Sequence, residues 1–149
     1  MGSFMRLLPL CLLLHMLAAP AAATKPTWST DVYFEAGSDV IEQVDRVRIV
    51  SAISGVSGSF LCASGTWIVV GHADPHEVPP EAATSLSERR ARAVAAELRA
   101  AGVSDGRLEV AFKGSTQPVA KPPHRHNRRT EIEYAPCLKS DGTLDTPSK

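Results

Sequence analysis

The 149-residue sequence has no surplus of charge, since 16 basic residues are balanced by 16 acidic ones. Without a net field the chain as a whole is not drawn to nucleic acid or to an anionic membrane surface, so a charged partner must be recognised locally. It also lacks an apolar run of the roughly 20 residues that a membrane-spanning helix needs. The longest candidate, Leu7 to Leu17, is shorter and is followed by Pro20. An internal repeat, a glycine-rich phosphate loop, a nucleophile elbow and paired zinc-type cysteine motifs are all missing. Ser87 has no adjacent base to activate it, and Asp74 has neither a partner acid nor a cofactor motif beside it. No catalytic residue and no cofactor are therefore expected. At 44% hydrophobic residues, a chain of this length buries one ordinary core, so a single domain is the expectation.

What is present begins with an export signal. Arg6 supplies a short basic start, Leu7 to Leu17 matches a signal-peptide core in length, and Ala21-Ala22-Ala23 gives a small-residue cleavage pattern. Residues 1–23 are read as a signal peptide and 24–29 as a linker. Cys11 follows Leu8-Pro9-Leu10 instead of small residues, which argues against lipidation. Cleavage after Ala23 removes Arg6 and Cys11, leaving 15 basic and 16 acidic residues and two cysteines, Cys62 and Cys137. In an exported chain, two cysteines suggest one disulfide. Such a bridge would close a loop of about 75 residues and contribute about 4 kcal/mol at most. Two buried thiols are the alternative.

Strand and helix patterns alternate along the remainder, which predicts an α/β or α+β sandwich with a partly parallel sheet. Asp31 to Phe34 reads as a strand. Ser38 or Asp39 can cap a helix carrying Ile41, Val44, Val47 and Val50 at helical spacing, with Gly55 and Gly58 as its stop. Trp67 to Val70 is a continuous apolar run leading into Gly71, the pattern of a buried strand. Ser85 and Glu88 have capping-box spacing at the start of a second helix that runs through Leu98 towards Gly102. Leu108 to Phe112 and Thr130 to Tyr134 read as strands, Gln117 to His126 as a loop, and residues 138–149 as a disordered tail.

On the second helix, Leu86, Val94, Leu98 and Ala101 share one stripe, and Arg90 falls inside it. An arginine facing a core must be paired, must snorkel to the rim, or must wait for an anionic ligand. The histidines offer a different chemistry. His72, Asp74 and His76 alternate as H-x-D-x-H, with His124 and His126 as a second pair, a pattern open to zinc or copper in an exported protein.

Three strings, GHAD at 71–74, LSERRA at 86–91 and NRRTEIEY at 127–134, now stand in order between a Tyr33-Phe34 strand and the end of the last strand. With Gly102-Val103 and the turn at Gly114 to Pro118 between them, they resemble the OmpA-like peptidoglycan-binding domain family. That family occurs as the C-terminal domain of OmpA-type porins and in Pal and MotB proteins. The resemblance spans about Val32 to Tyr134, and residues 30–137 are read as the domain. It implies a β-α-β-α-β-β fold with a mixed four-stranded sheet covered by helices. It also implies non-covalent binding of peptidoglycan through the diaminopimelate of the stem peptide, in the periplasm and in association with the outer membrane or an envelope-complex protein. Asp74 would meet the ligand's ammonium and Arg90 its carboxylate, with Asn127 and Arg128 at the pocket edge. The residue types agree with that role, because a zwitterion needs one anion and one cation, and the arginine fork fits a carboxylate better than lysine does. Without ligand, Asp74 and Arg90 are free to pair with each other.

The sequence departs from the family pattern at three places. Asp74 is followed by Pro75-His76-Glu77, which stiffens the loop and adds a negative charge; Ala83 replaces an asparagine; and Ala36-Gly37 replaces an aromatic-Asp pair. Losing polar contacts at about 1 kcal/mol each weakens binding by one to two orders of magnitude. A scaffold that has kept the fold and lost the ligand is therefore a further reading.

Overall fold

Runs rich in β-branched and aromatic residues form four strands: β1 (Trp28–Tyr33), β2 (Thr66–Gly71), β3 (Leu108–Phe112) and β4 (Arg129–Ala135). Two helices, α1 (Gln43–Gly58) and α2 (Pro80–Ala100), complete the order β1-α1-β2-α2-β3-β4. The computed structural model of the chain describes residues 28–58 and 65–137. The proposed signal peptide, residues 24–27, Cys62 and the tail from Leu138 lie outside those residues, and so does the Cys62 half of the suggested disulfide.

The strands lie in the order β1-β4-β2-β3. β4 is antiparallel to both neighbours, whereas β2 and β3 are parallel, a pairing that requires a crossover, supplied here by α2. This is the mixed, helix-covered sheet expected from the sequence. Because Trp28 pairs with Tyr134, β1 extends back into the segment read as a linker. Trp67 takes the other side of Tyr134, and the rings meet at steep angles, with centroids 6.0 Å apart for the edge-on Trp28–Trp67 pair and 4.9 Å for the tilted Trp67–Tyr134 pair. Their face, with Val32, Val69 and Ile132, forms the core against Ile49, Ala52 and Val56 of α1 and Ala91, Val94 and Leu98 of α2. Burial alternates along β2, so its apolar run is not buried throughout: Ile68 and Val70 sit half-exposed on the uncovered face. One covered face explains this, since side chains point alternately to each side.

Two helix expectations need correction. The α1 residues Val44, Val47 and Val50 are exposed, and the face turned to the sheet carries Asp45, Ile49, Ala52 and Val56, with Ile41 buried just before the helix begins. Gly55 lies within the helix rather than ending it. For α2, the first turn starts at Pro80, not at Ser85, and no side chain caps it. Proline fits the first helical position because it has no N–H to leave unsatisfied. Ser85 instead accepts a bond from Arg89, and Glu88 from Arg92. The C-terminal end matches the sequence reading: Gly102 has φ +99° and the Val103 N–H returns to the Leu98 carbonyl at 3.0 Å. Among the described residues, no helix is long and apolar enough to cross a membrane.

Candidate ligand-binding site

Gly71 ends β2 at a point where α2 presses directly on the strand, and a Cβ at this position would lie 2.0 Å from the Ser87 carbonyl oxygen. Only glycine permits that approach. The loop that follows is tied on both sides, by His72 N–H to the Arg129 carbonyl (2.9 Å) and by Ala73 N–H to the Gly114 carbonyl (2.8 Å). Ser87, buried on α2, accepts from Gly114 N–H at 2.9 Å and donates to the Thr84 carbonyl at 2.8 Å. Its hydroxyl is a structural link between α2 and the end of β3. One turn further along α2, Arg90 projects into the space beside this loop.

Arg90 is fully buried, and each of its five donors is used. Nε donates to the Ser38 carbonyl (2.8 Å), Nη1 to the His72 carbonyl (3.0 Å) and Nη2 to the Glu35 carbonyl (3.1 Å). The remaining two form a fork on Glu77, each at 2.7 Å from one carboxylate oxygen. The guanidinium also stacks over Phe34, 5.0 Å from the ring centroid. Arg90 therefore pairs with Glu77 and not with Asp74. The Glu77 side chain is 2% exposed, and two backbone amides complete its surroundings: Asp74 N–H reaches Oε1 at 2.6 Å and Gly37 N–H reaches Oε2 at 3.0 Å.

Asp74 is equally buried but is held by neutral donors. Oδ1 accepts from His76 N–H (2.8 Å), and Oδ2 from His124 N–H and Asn127 Nδ2, both at 2.8 Å. Burial alone pushes its pKa up, but the bonds from Asn127, His124 and His76 outweigh that and hold it below the usual carboxylate value. No salt bridge to Asp74 occurs among the described residues, so its charge has no cationic partner there.

Asn127 is fully buried beside Asp74. Its Oδ1 accepts from Val119 and Ala120 N–H, both at 2.9 Å, while Nδ2 bonds Asp74 and the Ala120 carbonyl. It thereby fastens the proline-rich loop to Asp74. Arg128 is half-buried at the rim, with Nε donating to the Phe34 carbonyl at 3.0 Å. Arg129 turns to the opposite face and forks onto Glu131, as strand alternation predicts. Beside Phe34 and Glu35 a cleft of 290 Å³ opens, lined also by Tyr33, Glu42, Arg48, Arg125 and His126.

The histidine cluster does not converge. The buried His72 ring makes no hydrogen bond, and its Nε2 lies 3.5 Å from Glu131 on the sheet face turned away from the helices. His76 is exposed, and His124 Nδ1 accepts from His126 N–H. Among the described residues, no three His, Cys, Asp or Glu side chains are placed to hold a metal ion. Alternation along an extended segment fails here because the chain turns at Asp74, whose carboxylate is taken by the His76 and His124 amides and the Asn127 side chain.

Burial, and secondarily Arg129, lowers the His72 pKa from 6.5, with Glu131 opposing. The unfolded chain therefore binds this proton more readily than the folded one. Stability is complete above about pH 6.5 and falls as the pH drops from there through the folded value. Asp74, also lowered, has the same sign in a more acidic window, below the ordinary carboxylate range. Thermal melting is expected to drop between about pH 7.5 and 5.5, and His72→Gln to flatten that drop. An unchanged pH slope in the variant would remove His72 as the cause.

The OmpA family matches residues 33–131 of the chain. No curated protein sequence matches it. Similar solved structures include the peptidoglycan-associated lipoprotein from Burkholderia pseudomallei, 23% identical with a TM-score of 0.62, covering 70% of this chain and 88% of that one. The periplasmic domain of Helicobacter pylori MotB is 22% identical with a TM-score of 0.62, covering 76% and 78%. The OmpA-like domain of FopA1 from Francisella tularensis subsp. tularensis SCHU S4 is 21% identical with a TM-score of 0.61, covering 82% and 77%. At these identities the structures speak for the fold. The family match, extending over most of the chain and taking in Asp74, Glu77, Arg90, Asn127 and Arg128, places this chain in the OmpA family.

Proposed function

We propose that this chain is a non-catalytic domain that docks on peptidoglycan in the periplasm, taking a zwitterionic stem-peptide residue such as meso-diaminopimelate at the Asp74 and Arg90 end of the sheet. One observation carries the reading: the surroundings of Arg90 form a complete carboxylate seat. A planar fork and two backbone amides, those of Asp74 and Gly37, all aim at one carboxylate. Asp74, an anion without a cationic partner among the described residues, lies next to that seat and suits a ligand ammonium. The adjoining cleft, which shares Phe34 and Glu35 with the seat, offers room for the rest of a stem peptide. Arg128 at the rim is a candidate contact, whereas Asn127 acts by holding Asp74. The similarity to a peptidoglycan-associated lipoprotein and to a periplasmic MotB domain supports the same ligand and compartment.

The complete bonding of Arg90 inside the protein favours a second reading, in which the domain is a scaffold that has given up its ligand. Co-sedimentation with purified sacculi separates the two. The wild-type protein is expected to pellet with sacculi and to be released by soluble meso-diaminopimelate. Arg92→Ala, on the solvent side of α2, is expected to behave as wild type. A wild-type protein that stays in the supernatant would leave the scaffold reading, and one that pellets without being released would remove meso-diaminopimelate as the contact.

A further inference from the structure

We propose that Glu77 sets the affinity and selectivity of this site, because its carboxylate occupies the seat of a ligand carboxylate and must be displaced before one can bind. The inference rests on the receptor reading above. The Glu77 carboxylate takes two donors on each oxygen, Arg90 Nη1 and Asp74 N–H on Oε1, Arg90 Nη2 and Gly37 N–H on Oε2. Those four donors come from α2, from the loop after β2 and from the loop after β1. They constitute an anion site assembled by the fold around a side chain, with no donor left over for a second carboxylate.

The backbone that carries Glu77 is less firmly held than its carboxylate. It belongs to a short connection between β2 and α2, flanked by Pro75 and Pro79, and the neighbouring His76, Pro79 and Pro80 are exposed. Its N–H bond to the Asp74 carbonyl is long, at 3.3 Å. Vacating the seat thus displaces a surface loop and leaves both β2 and α2 intact. The Asp74 amide and carboxylate are part of the same connection, so a ligand that supplies a carboxylate to Arg90 and an ammonium to Asp74 replaces the lost contact at one end and gains one at the other. A ligand with a carboxylate alone only exchanges like for like. A tethered competitor lowers apparent affinity by the fraction of time that the seat is open. Removing it returns that factor.

The test measures binding of meso-diaminopimelate and thermal melting of the exported chain as wild type, Glu77→Ala and Glu77→Asp. Glu77→Ala is expected to melt at a lower temperature, to regain stability with millimolar sodium acetate but not with sodium chloride at equal ionic strength, and to bind meso-diaminopimelate at least about tenfold more tightly than wild type. Glu77→Asp keeps the charge but is one methylene shorter and cannot span the fork in the same way. It is expected to gain affinity by a smaller factor, and it decides the matter if the alanine variant does not fold. A folded variant that binds meso-diaminopimelate no more tightly than a binding wild type overturns the proposal, and so does a Glu77→Ala stability indifferent to acetate. If acetate restores Glu77→Ala while no form binds meso-diaminopimelate or sacculi, the seat is upheld and the peptidoglycan reading falls.

Discussion

Arg90→Ala is expected to destabilise the domain by roughly 3–5 kcal/mol, the range for breaking a buried ion pair from one side. The cost has identifiable sources. Glu77 would keep a buried charge with only two amide donors, the carbonyls of Glu35, Ser38 and His72 would each lose a bond, and Phe34 would lose the guanidinium above its ring. Against a typical stability of about 5–15 kcal/mol, that loss removes a large share of the folded population's margin. Arg90→Lys retains the charge but offers three donors in place of five and no planar fork, so it is expected to recover only part of the loss. Urea denaturation measures both. An Arg90→Ala midpoint within error of the exposed Arg92→Ala variant would show that the buried network contributes nothing. The size of the effect also bears on binding studies: loss of sacculus binding in Arg90→Ala is informative only where the variant is shown to be folded.

The architecture was largely legible in the sequence, because the signals for it are local. Gly102 after the second helix, the apolar alternation of Ile132 and Tyr134, and Arg90 on the inner stripe each follow from periodicity or turn chemistry, and each stands in the structure. The α1 face was misread for a physical reason. Val44, Val47 and Val50 have helical spacing, but so do Ile41, Ile49, Ala52 and Val56, and Asp45 in the middle of the second set disguises it as the polar side. Asp45 is tolerated there because Arg48 covers it at 2.6 Å. The start of α2 was misplaced because Ser85 and Glu88 satisfy a capping pattern by spacing alone, whereas the adjacent Pro79-Pro80 was the stronger signal.

Glu77 is the site residue whose role the sequence did not reveal. Its charge was visible, but its direction depends on the turn at Asp74, where the carboxylate of residue 74 accepts the His76 N–H and swings residue 77 back towards α2. No spacing rule encodes that return. The bonding of Asn127 was hidden for a related reason: its partners, Asp74 and the Val119–Ala120 backbone, come from separate loops that only the fold brings together.

Gly71→Ala is the second substitution with a large expected effect, about 3 kcal/mol or more of lost stability. The added Cβ would meet the Ser87 carbonyl oxygen at 2.0 Å and its carbon at 2.9 Å, with the Ala91 methyl at 3.1 Å. The first two are backbone atoms within a helix, so no rotamer change relieves the contact, and α2 must withdraw from β2. Withdrawal stretches the Ser87 bond to Gly114 and draws the Arg90 fork away from the Glu35 and Ser38 carbonyls. Stability and the carboxylate seat are therefore expected to fail together. Gly106→Ala supplies the contrast, since a Cβ at Gly106 meets nothing within 4 Å and its φ is not in the left-handed region. That change is expected to be neutral or to stabilise by a few tenths of a kcal/mol to about 1 kcal/mol, by restricting the unfolded chain. Denaturant midpoints for the two variants, measured side by side, should lie far apart. Equal midpoints would mean that α2 does not bear on the end of β2, and the same contact positions Arg90 beside the Asp74 loop.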